Sequence, residues 1–383
     1  YDNSSVPVVV DNLTNVRLRP KMNFTTTSRS SIISSGVYFS CAVLNNGSTK
    51  CWGQNNNGQL GDNSTINSKV PVTVVGLNNV KTISTAYYHA CVMLDNGTAK
   101  CWGRNSYGQL GDNSTINSRL PMAIVGLNDV KAIGVGWDNT CAMLDNGTAK
   151  CWGRNSYGQL GDNSTSPSRL PVAVVGLNDV KAINTGPNSS CAVLNNGSAK
   201  CWGKNSYGQL GDNSTINSKV PVNVVSLNDV TTVSAGYYHA CAVLNNGSAK
   251  CWGKNDFGQL GDNSTINSKV PVTVVDLNNV VDISLDGNHT CAVSSNGSAK
   301  CWGQNDSGQL GDNSTINSKV PVTVVGLNNV KDIGVGWKHS CAALDNGSAK
   351  CWGQNDSGQL GVNSTINSKV PVSVLNLSNV KLP

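Results

Sequence analysis

Fourteen cysteines are the residues of this chain whose type and spacing best equip them for chemistry. They fall into seven C-x9-C pairs: Cys41–Cys51, Cys91–Cys101, Cys141–Cys151, Cys191–Cys201, Cys241–Cys251, Cys291–Cys301 and Cys341–Cys351. Between the first two lies AVLNNGSTK, centred on Asn45, Asn46 and Gly47. That composition suits a three-residue hairpin loop ending in a left-handed glycine. Counting outward pairs Leu44 with Ser48, Val43 with Thr49, Ala42 with Lys50, and Cys41 with Cys51. The cysteines then face each other as a non-hydrogen-bonded pair, with Cα atoms about 4.5 Å apart, a span that a disulfide closes. Seven cross-strand disulfides are expected, each worth up to about 2.5–3 kcal/mol and less where the hairpin is already formed. Pairs of reduced, buried thiols are the alternative. Zinc is the less favoured reading, since the spacing is not C-x2–4-C and no second pair or histidine accompanies every unit. Disulfides at this density belong outside the cytosol.

The other reactive side chains repeat as well. Sequons N-x-S/T occur twice per unit, at Asn46, Asn96, Asn146, Asn196, Asn246, Asn296 and Asn346, and at Asn63, Asn113, Asn163, Asn213, Asn263, Asn313 and Asn363. Further ones stand at Asn3, Asn12, Asn23, Asn188, Asn288, Asn305, Asn355 and Asn376. Both repeated sets fall in expected turns, so N-glycosylation is expected of a secreted chain. Asn and Gly shaping turns in an unmodified protein is the alternative. His89, His239, His289 and His339 share one repeat position with Phe39, Asn139 and Ser189, a variation no ring of metal ligands tolerates, so the histidines read as structural. Asp62 and Asn63 lack the clustered carboxylates of a calcium loop, and Val362 replaces the aspartate in the last unit. Trp52 and its six counterparts are expected to pack between units rather than stack on sugars. Trp137 and Trp337, with Tyr87 and Tyr237 at the same position, are better ligand candidates; Val37, Pro187 and Gly287 occupy it elsewhere. No catalytic constellation, cofactor loop or metal set emerges, and an enzyme is not expected.

The elements that position these residues repeat every fifty residues without insertion or deletion. CWG recurs from Cys51 to Cys351, and the units run 31–80, 81–130, 131–180, 181–230, 231–280, 281–330 and 331–380. Such a period means a solenoid or a propeller. The apolar runs are short, β-branched and bounded by Asn, Gly and Ser, with no helical spacing. In the second unit four strands fit: Val80–Thr85, His89–Leu94, Thr98–Trp102 and Leu120–Val125. Pro121 and its counterparts Pro71, Pro171, Pro221, Pro271, Pro321 and Pro371 mark the last strand as an edge. The fold class is all-β: a seven-bladed β-propeller of four-stranded antiparallel blades with an extended N-terminal arm.

The combination of an aromatic or His, a Gly-turn hairpin, WGxNxxGQLG and a later Pro closely resembles the repeat of the regulator of chromosome condensation family. The resemblance covers residues 31–380 in seven copies. It implies a seven-bladed propeller and, from the family's best-known members, nuclear action on a small GTPase or service as an interaction module. The paired cysteines depart from that pattern and argue against the nuclear role.

Charged residues are only 13% of the chain and the net charge is +6, with Lys and Arg spread evenly along it, so no nucleic-acid-binding concentration is read. No apolar run is long enough to span a bilayer. The chain opens on Tyr1 rather than Met, as a mature N-terminus left by signal-peptide removal would. Residues 1–30 form an arm in which Val6, Val8, Val9 and Val10 echo the outer-strand motif at Val70–Val74, an eighth copy for seven blades; 381–383 are a tail. A surplus strand on a tether suits addition to a neighbouring copy, which would link propellers head-to-tail. An extracellular, glycosylated, self-assembling structural or interaction protein is expected, with a multivalent glycan- or protein-binding propeller as the alternative and nucleotide exchange as the least favoured reading.

Overall fold

The computed structural model describes residues 31–383. The Asn45, Asn46, Gly47 and Ser48 tip sets the register of everything around it. Gly47 adopts a left-handed φ of 75°, and its N–H donates to the Leu44 carbonyl at 2.9 Å while the Leu44 N–H reaches the Ser48 carbonyl at 2.8 Å. The ladder then pairs Val43 with Thr49, Ala42 with Lys50 and Cys41 with Cys51, the register expected from sequence. Seven such hairpins sit at the centre of seven four-stranded antiparallel sheets, each built from consecutive strands.

In the second blade the strands are Val80–Thr85, His89–Leu94, Ala99–Gly103 and Ser118–Ala123. The fourth begins and ends two residues earlier than the sequence suggested. Ser118 pairs with Gly103 across a register shift, and Val125 leaves the ladder to donate to the Gly111 carbonyl at 2.9 Å. Among the described residues the proline-bearing strand has one neighbour and forms the outer edge, where a missing N–H costs nothing. The first strands of all seven blades surround a polar axial channel.

Between blades the cores repeat. The Cys41–Cys51 disulfide and Leu60 of one blade pack with Trp102 of the next, and six further seams follow the same plan. Each fully buried indole donates to the carbonyl of the preceding blade's glutamine, as Trp102 Nε1 does to Gln59 at 2.9 Å. The approach is close enough that a Cβ on Gly61 would stand 2.8 Å from that nitrogen. The tryptophans therefore pack between blades, as their fixed position suggested.

The ring closes through the C-terminus. The inner strand of the first blade is short, Ile33–Ser35, whereas its counterparts have six or seven residues. Val380 bridges to Leu44, the Asn45 N–H donates to the Asn379 carbonyl, and the Lys381 N–H donates to the Val43 carbonyl at 2.9 Å. In the second blade Val80 and Asn79 fill the corresponding places with Leu94 and Asp95. Lys381, expected in a tail, thus belongs to the closure. Asp332 adds a clamp, accepting from the N–H groups of Ile32 at 2.6 Å and Ile33 at 3.0 Å. The arm, with Val6, Val8, Val9 and Val10 and the sequons Asn3, Asn12 and Asn23, lies outside the described residues.

Candidate functional site

Antiparallel order gives the disc two faces. Turns between first and second strands, and the long loops between third and fourth, share one face, here the loop face; the Gln54 N–H donates to the Tyr38 carbonyl between them. Hairpin tips and the linkers between blades share the other, the hairpin face.

The seven cysteine pairs all form disulfides, with Cα–Cα distances of 4.0–4.1 Å, and all fourteen residues are fully buried. They are framework, at the centre of each blade. The histidines are framework too. Each is fully buried and shares a hydrogen bond with a hydroxyl of the following blade: His89 with Thr140 at 3.0 Å, His239 with Thr290 at 2.8 Å, His289 with Ser340 at 2.9 Å and His339 with Ser40 at 2.9 Å. Burial pulls all four down to about 3, so the rings are neutral at neutral pH. Where the bridging residue is Phe39 or Ser189, the next blade carries Ala90 or Ala240 instead of a hydroxyl. The sequence carries that covariation across fifty-one positions, and the contact between blades is what reveals it as a pairing.

The GDNST loop is a turn whose polar groups satisfy one another. Buried Asn55 accepts from the Leu60 N–H at 2.9 Å and donates to Asp62 at 3.1 Å, and Ser64 donates to the same carboxylate at 2.9 Å. Without the aspartate, in the last blade, Asn355 donates to the carbonyls of Ser364 and Ile366. Among the described residues no group of three or more His, Cys, Asp or Glu is placed to hold a metal.

The sequon asparagines divide sharply. Asn46 and Asn63 and their counterparts are exposed. At each tip the Asn side-chain oxygen accepts from the N–H and hydroxyl two residues on, as Asn46 does from Ser48 at 3.0 and 2.7 Å. Its Nδ2, the atom a glycan joins, donates to nothing among the described residues. Asn305 and Asn355, by contrast, are fully buried with Nδ2 committed to loop carbonyls, and Asn188 is buried as well. These three are not available acceptors in the folded protein.

The loop face gathers what the linear sequence scattered. Tyr87, Trp137, Tyr237 and Trp337 come from blades two, three, five and seven, yet their rings meet over the axis. Centroids lie 4.5 Å apart for Tyr87–Trp137, 4.4 Å for Trp137–Tyr237, 5.9 Å for Trp137–Trp337 and 5.7 Å for Tyr237–Trp337. Around this cluster, blades two to five place Arg104, Arg154, Lys204 and Lys254 at one position and Tyr107, Tyr157, Tyr207 and Phe257 three residues later. Each of the last three cations rests against an aromatic ring of the blade before: Arg154 over Tyr107 at 5.5 Å, Lys204 over Tyr157 at 5.2 Å and Lys254 over Tyr207 at 5.4 Å. Arg104 pairs with buried Asp138 at 3.5 Å and Lys254 with Asp256 at 3.2 Å; Arg154 and Lys204 form no ion pair among the described residues. The other three blades carry Gln54, Gln304 and Gln354 followed by Asn57, Ser307 and Ser357. Lys338 there is neutralised by Asp306 at 2.6 Å. The even spread of Lys and Arg along the chain is therefore corrected by the fold, which aligns four cations along one arc. RNSY, RNSY, KNSY and KNDF against QNNN, QNDS and QNDS was the available signal.

A seven-bladed, four-stranded propeller with a WGxNxxGQLG repeat defines a class, and comparison with known proteins gives its family. The RCC1-like domain matches residues 164–382, and the regulator of chromosome condensation (RCC1) repeat matches segments from 31 to 159. The chain belongs to the RCC1 repeat family. No curated protein matches it by sequence. Among solved structures it is similar to Prp20p from Saccharomyces cerevisiae, described with its binding to Gsp1p and histones, at 20% identity and a TM-score of 0.78, over 94% of this chain and 90% of that one. Human WBSCR16 is similar at 21% identity and a TM-score of 0.75, over 84% and 93%. The CRINKLY ectodomain of the Arabidopsis thaliana receptor kinase ACR4 is similar at 16% identity and a TM-score of 0.52, over 91% and 99%. These likenesses establish the fold. The seven disulfides fit an oxidising environment, and no helix of the described residues is long and apolar enough to cross a membrane.

Proposed function

We propose that this chain is an extracellular, non-catalytic binding propeller that engages its partner through the loop-face arc of blades two to five. The observation that carries the reading is the asymmetry of that arc. Seven copies of one repeat share their cores, yet four consecutive copies alone carry a cation and an aromatic ring at matched positions. Half-exposed aromatic rings beside cations, two of which (Arg154 and Lys204) form no ion pair among the described residues, are the composition of recognition surfaces. The disulfides support the extracellular address; glycans on the exposed tips such as Asn46 would lie on the hairpin face, opposite the arc, whereas the exposed Asn63 set lies in the loops of the arc's own face.

The test is an array of extracellular polysaccharides and peptides probed with the intact chain, beside Arg154→Ala/Lys204→Ala and, on the opposite face, Asn46→Gln/Asn96→Gln. Signals lost only in the arc variant are expected. Signals that survive there and vanish in the hairpin-face variant would overturn the reading.

Self-assembly through the N-terminal arm is a second reading, favoured by the seven outer strands, each with one edge unpaired among the described residues and able to add a strand. Imaging the chain with and without residues 1–25 tests it: polymers that persist after deletion rule the arm out.

A further inference from the structure

The arc has a chemistry that narrows its ligand, and the inference rests on the binding reading above. We infer that it takes an acidic polysaccharide, a chain of sugar rings carrying carboxylate or sulfate groups.

Repetition is the first ground. Successive stations at Arg154, Lys204 and Lys254 each rest a cation against a ring of the blade before; Arg154, 5.5 Å from Tyr107, adds Tyr157 of its own blade at 5.8 Å, Lys254 adds Phe257 of its own blade, and Lys204 adds Tyr237 of the blade after. Neighbouring stations differ by one blade rotation of the same scaffold. A ligand complementary to all of them repeats a charge at regular intervals.

The second ground is the composition of a station. Arg and Lys supply charge-assisted donors for carboxylate or sulfate oxygens, and Arg does so in a planar fork. Arg154 and Lys204, at the middle of the arc, form no ion pair among the described residues that an arriving anion would have to break, although Arg154 also acts at longer range on the buried Asp138 carboxylate. Arg154 Nε donates to the Ser156 hydroxyl at 3.2 Å. The rings offer flat apolar area at low entropic cost. Pyranose units present apolar C–H faces between their charged substituents and so use both halves of a station. An acidic peptide uses the cations and leaves the rings largely unmatched.

The third ground is the axial cluster. Trp137 lies beside Tyr87 and Tyr237, and Tyr237 in turn sits 5.9 Å from the Lys204 ammonium, so the aromatic surface runs unbroken from the arc to the axis. Burial and the adjacent Tyr237 hydroxyl push the Tyr238 phenol up, and burial with Tyr87 does the same for Tyr88. These rings add no negative charge that would repel an anion.

Calorimetric titration of the intact chain tests the inference with polygalacturonate, heparin, neutral dextran and poly-L-glutamate. At least one of the two acidic polysaccharides is expected to bind, and which one separates carboxylate from sulfate recognition. Dextran is expected not to bind, and poly-L-glutamate to bind about tenfold or more weakly than the polysaccharide, having charge without ring faces. Arg154→Ala/Lys204→Ala is expected to weaken binding about tenfold or more with an unchanged melting temperature. Tyr107→Ala/Tyr157→Ala is expected to lower the affinity that remains at about 1 M salt, where the Debye length is about 3 Å and charge contributes little. Gln304→Ala/Gln354→Ala, across the face, is expected to bind as the unaltered chain does. Poly-L-glutamate binding as tightly as the polysaccharides would overturn the inference in favour of an acidic peptide. Failure of both acidic polysaccharides would overturn the ligand class while leaving the binding reading standing, provided array signals still depend on Arg154 and Lys204. Full affinity in the Arg154→Ala/Lys204→Ala variant would overturn both.

Discussion

The two faces of the disc are built from the same fifty-residue unit and have diverged to different degrees. On the hairpin face the tips barely vary: each ends in Asn-Gly-Ser or Asn-Gly-Thr, with the Asn oxygen holding the residue two places on. On the loop face the frame is equally constant, through the Trp indole to Gln carbonyl bond, but the positions facing solvent are not. Blades two to five hold Arg or Lys with Tyr or Phe, and the other three hold Gln with Asn or Ser. Within one chain, then, sameness marks what every seam must do to close a ring, and difference marks what only part of the ring is asked to do. A propeller makes this contrast legible because each blade has an equivalent place.

That contrast predicts a hierarchy of effects. Removing a seam indole should cost the most and should do so wherever it is done. Trp152→Ala, under the cationic arc, and Trp352→Ala, outside it, are each expected to lower stability by about 3–5 kcal/mol, measured by urea unfolding. A large inequality between them would mean the frame is not uniform.

Next comes the cross-link. Cys91→Ala/Cys101→Ala is expected to lose about 2–3 kcal/mol, less if the hairpin persists without it, and to retain ligand binding because the sulfurs reach neither face.

Acid should act on the frame through the histidines. Each is held at about 3 when folded against an ordinary value of 6.5, so between those values the unfolded chain binds the proton and the folded chain does not. Stability is therefore complete above about pH 6.5 and falls as pH drops, by up to about 1.4 kcal/mol per histidine per pH unit. Asp286 works in the opposite sense. Burial raises it to about 7, so its contribution is present at low pH and is lost as pH rises from about 4 to 7. Asp138, which burial also raises, works in the same sense as Asp286; four histidines outweigh the two aspartates below pH 6.5, and melting curves from pH 7 to 4 should show a net loss on acidification. His289→Gln should flatten that slope; an unchanged slope would remove the inter-blade histidines from the explanation.

The smallest effect on stability is expected on the arc itself. Arg154→Ala/Lys204→Ala should shift unfolding by no more than about 0.5 kcal/mol, since both side chains lie at the surface outside the seams. A large loss would make the arc part of the frame.

Much of the frame could be read from the chain alone. The fixed period, the Gly at each hairpin tip and the proline in each last strand determine blade number, disulfide register and outer edge, because all three depend on contacts within a few residues or on one backbone rule. Contacts between blades were harder. The pairing of His89 with Thr140, or of Phe39 with Ala90, can be seen only once it is known that residues fifty-one positions apart meet across a seam. The arc was missed for the same reason: cations fifty residues apart look dispersed along a line and become neighbours around a ring. Closure by Val380 and Lys381 was masked by the strand-like echo at Val6–Val10, which drew attention to the other terminus.

Hydrogen–deuterium exchange on the intact, oxidised chain, with and without polygalacturonate or whichever array ligand binds tightest, reports directly on where recognition occurs. Slowed exchange is expected around Trp137, Arg154, Tyr157, Lys204 and Tyr237, with the tips at Asn46, Asn196 and Asn346 unchanged. Protection spread equally over seven blades, or confined to the hairpin tips, would contradict the assignment of function to the four consecutive blades that carry a cation and an aromatic ring at matched positions.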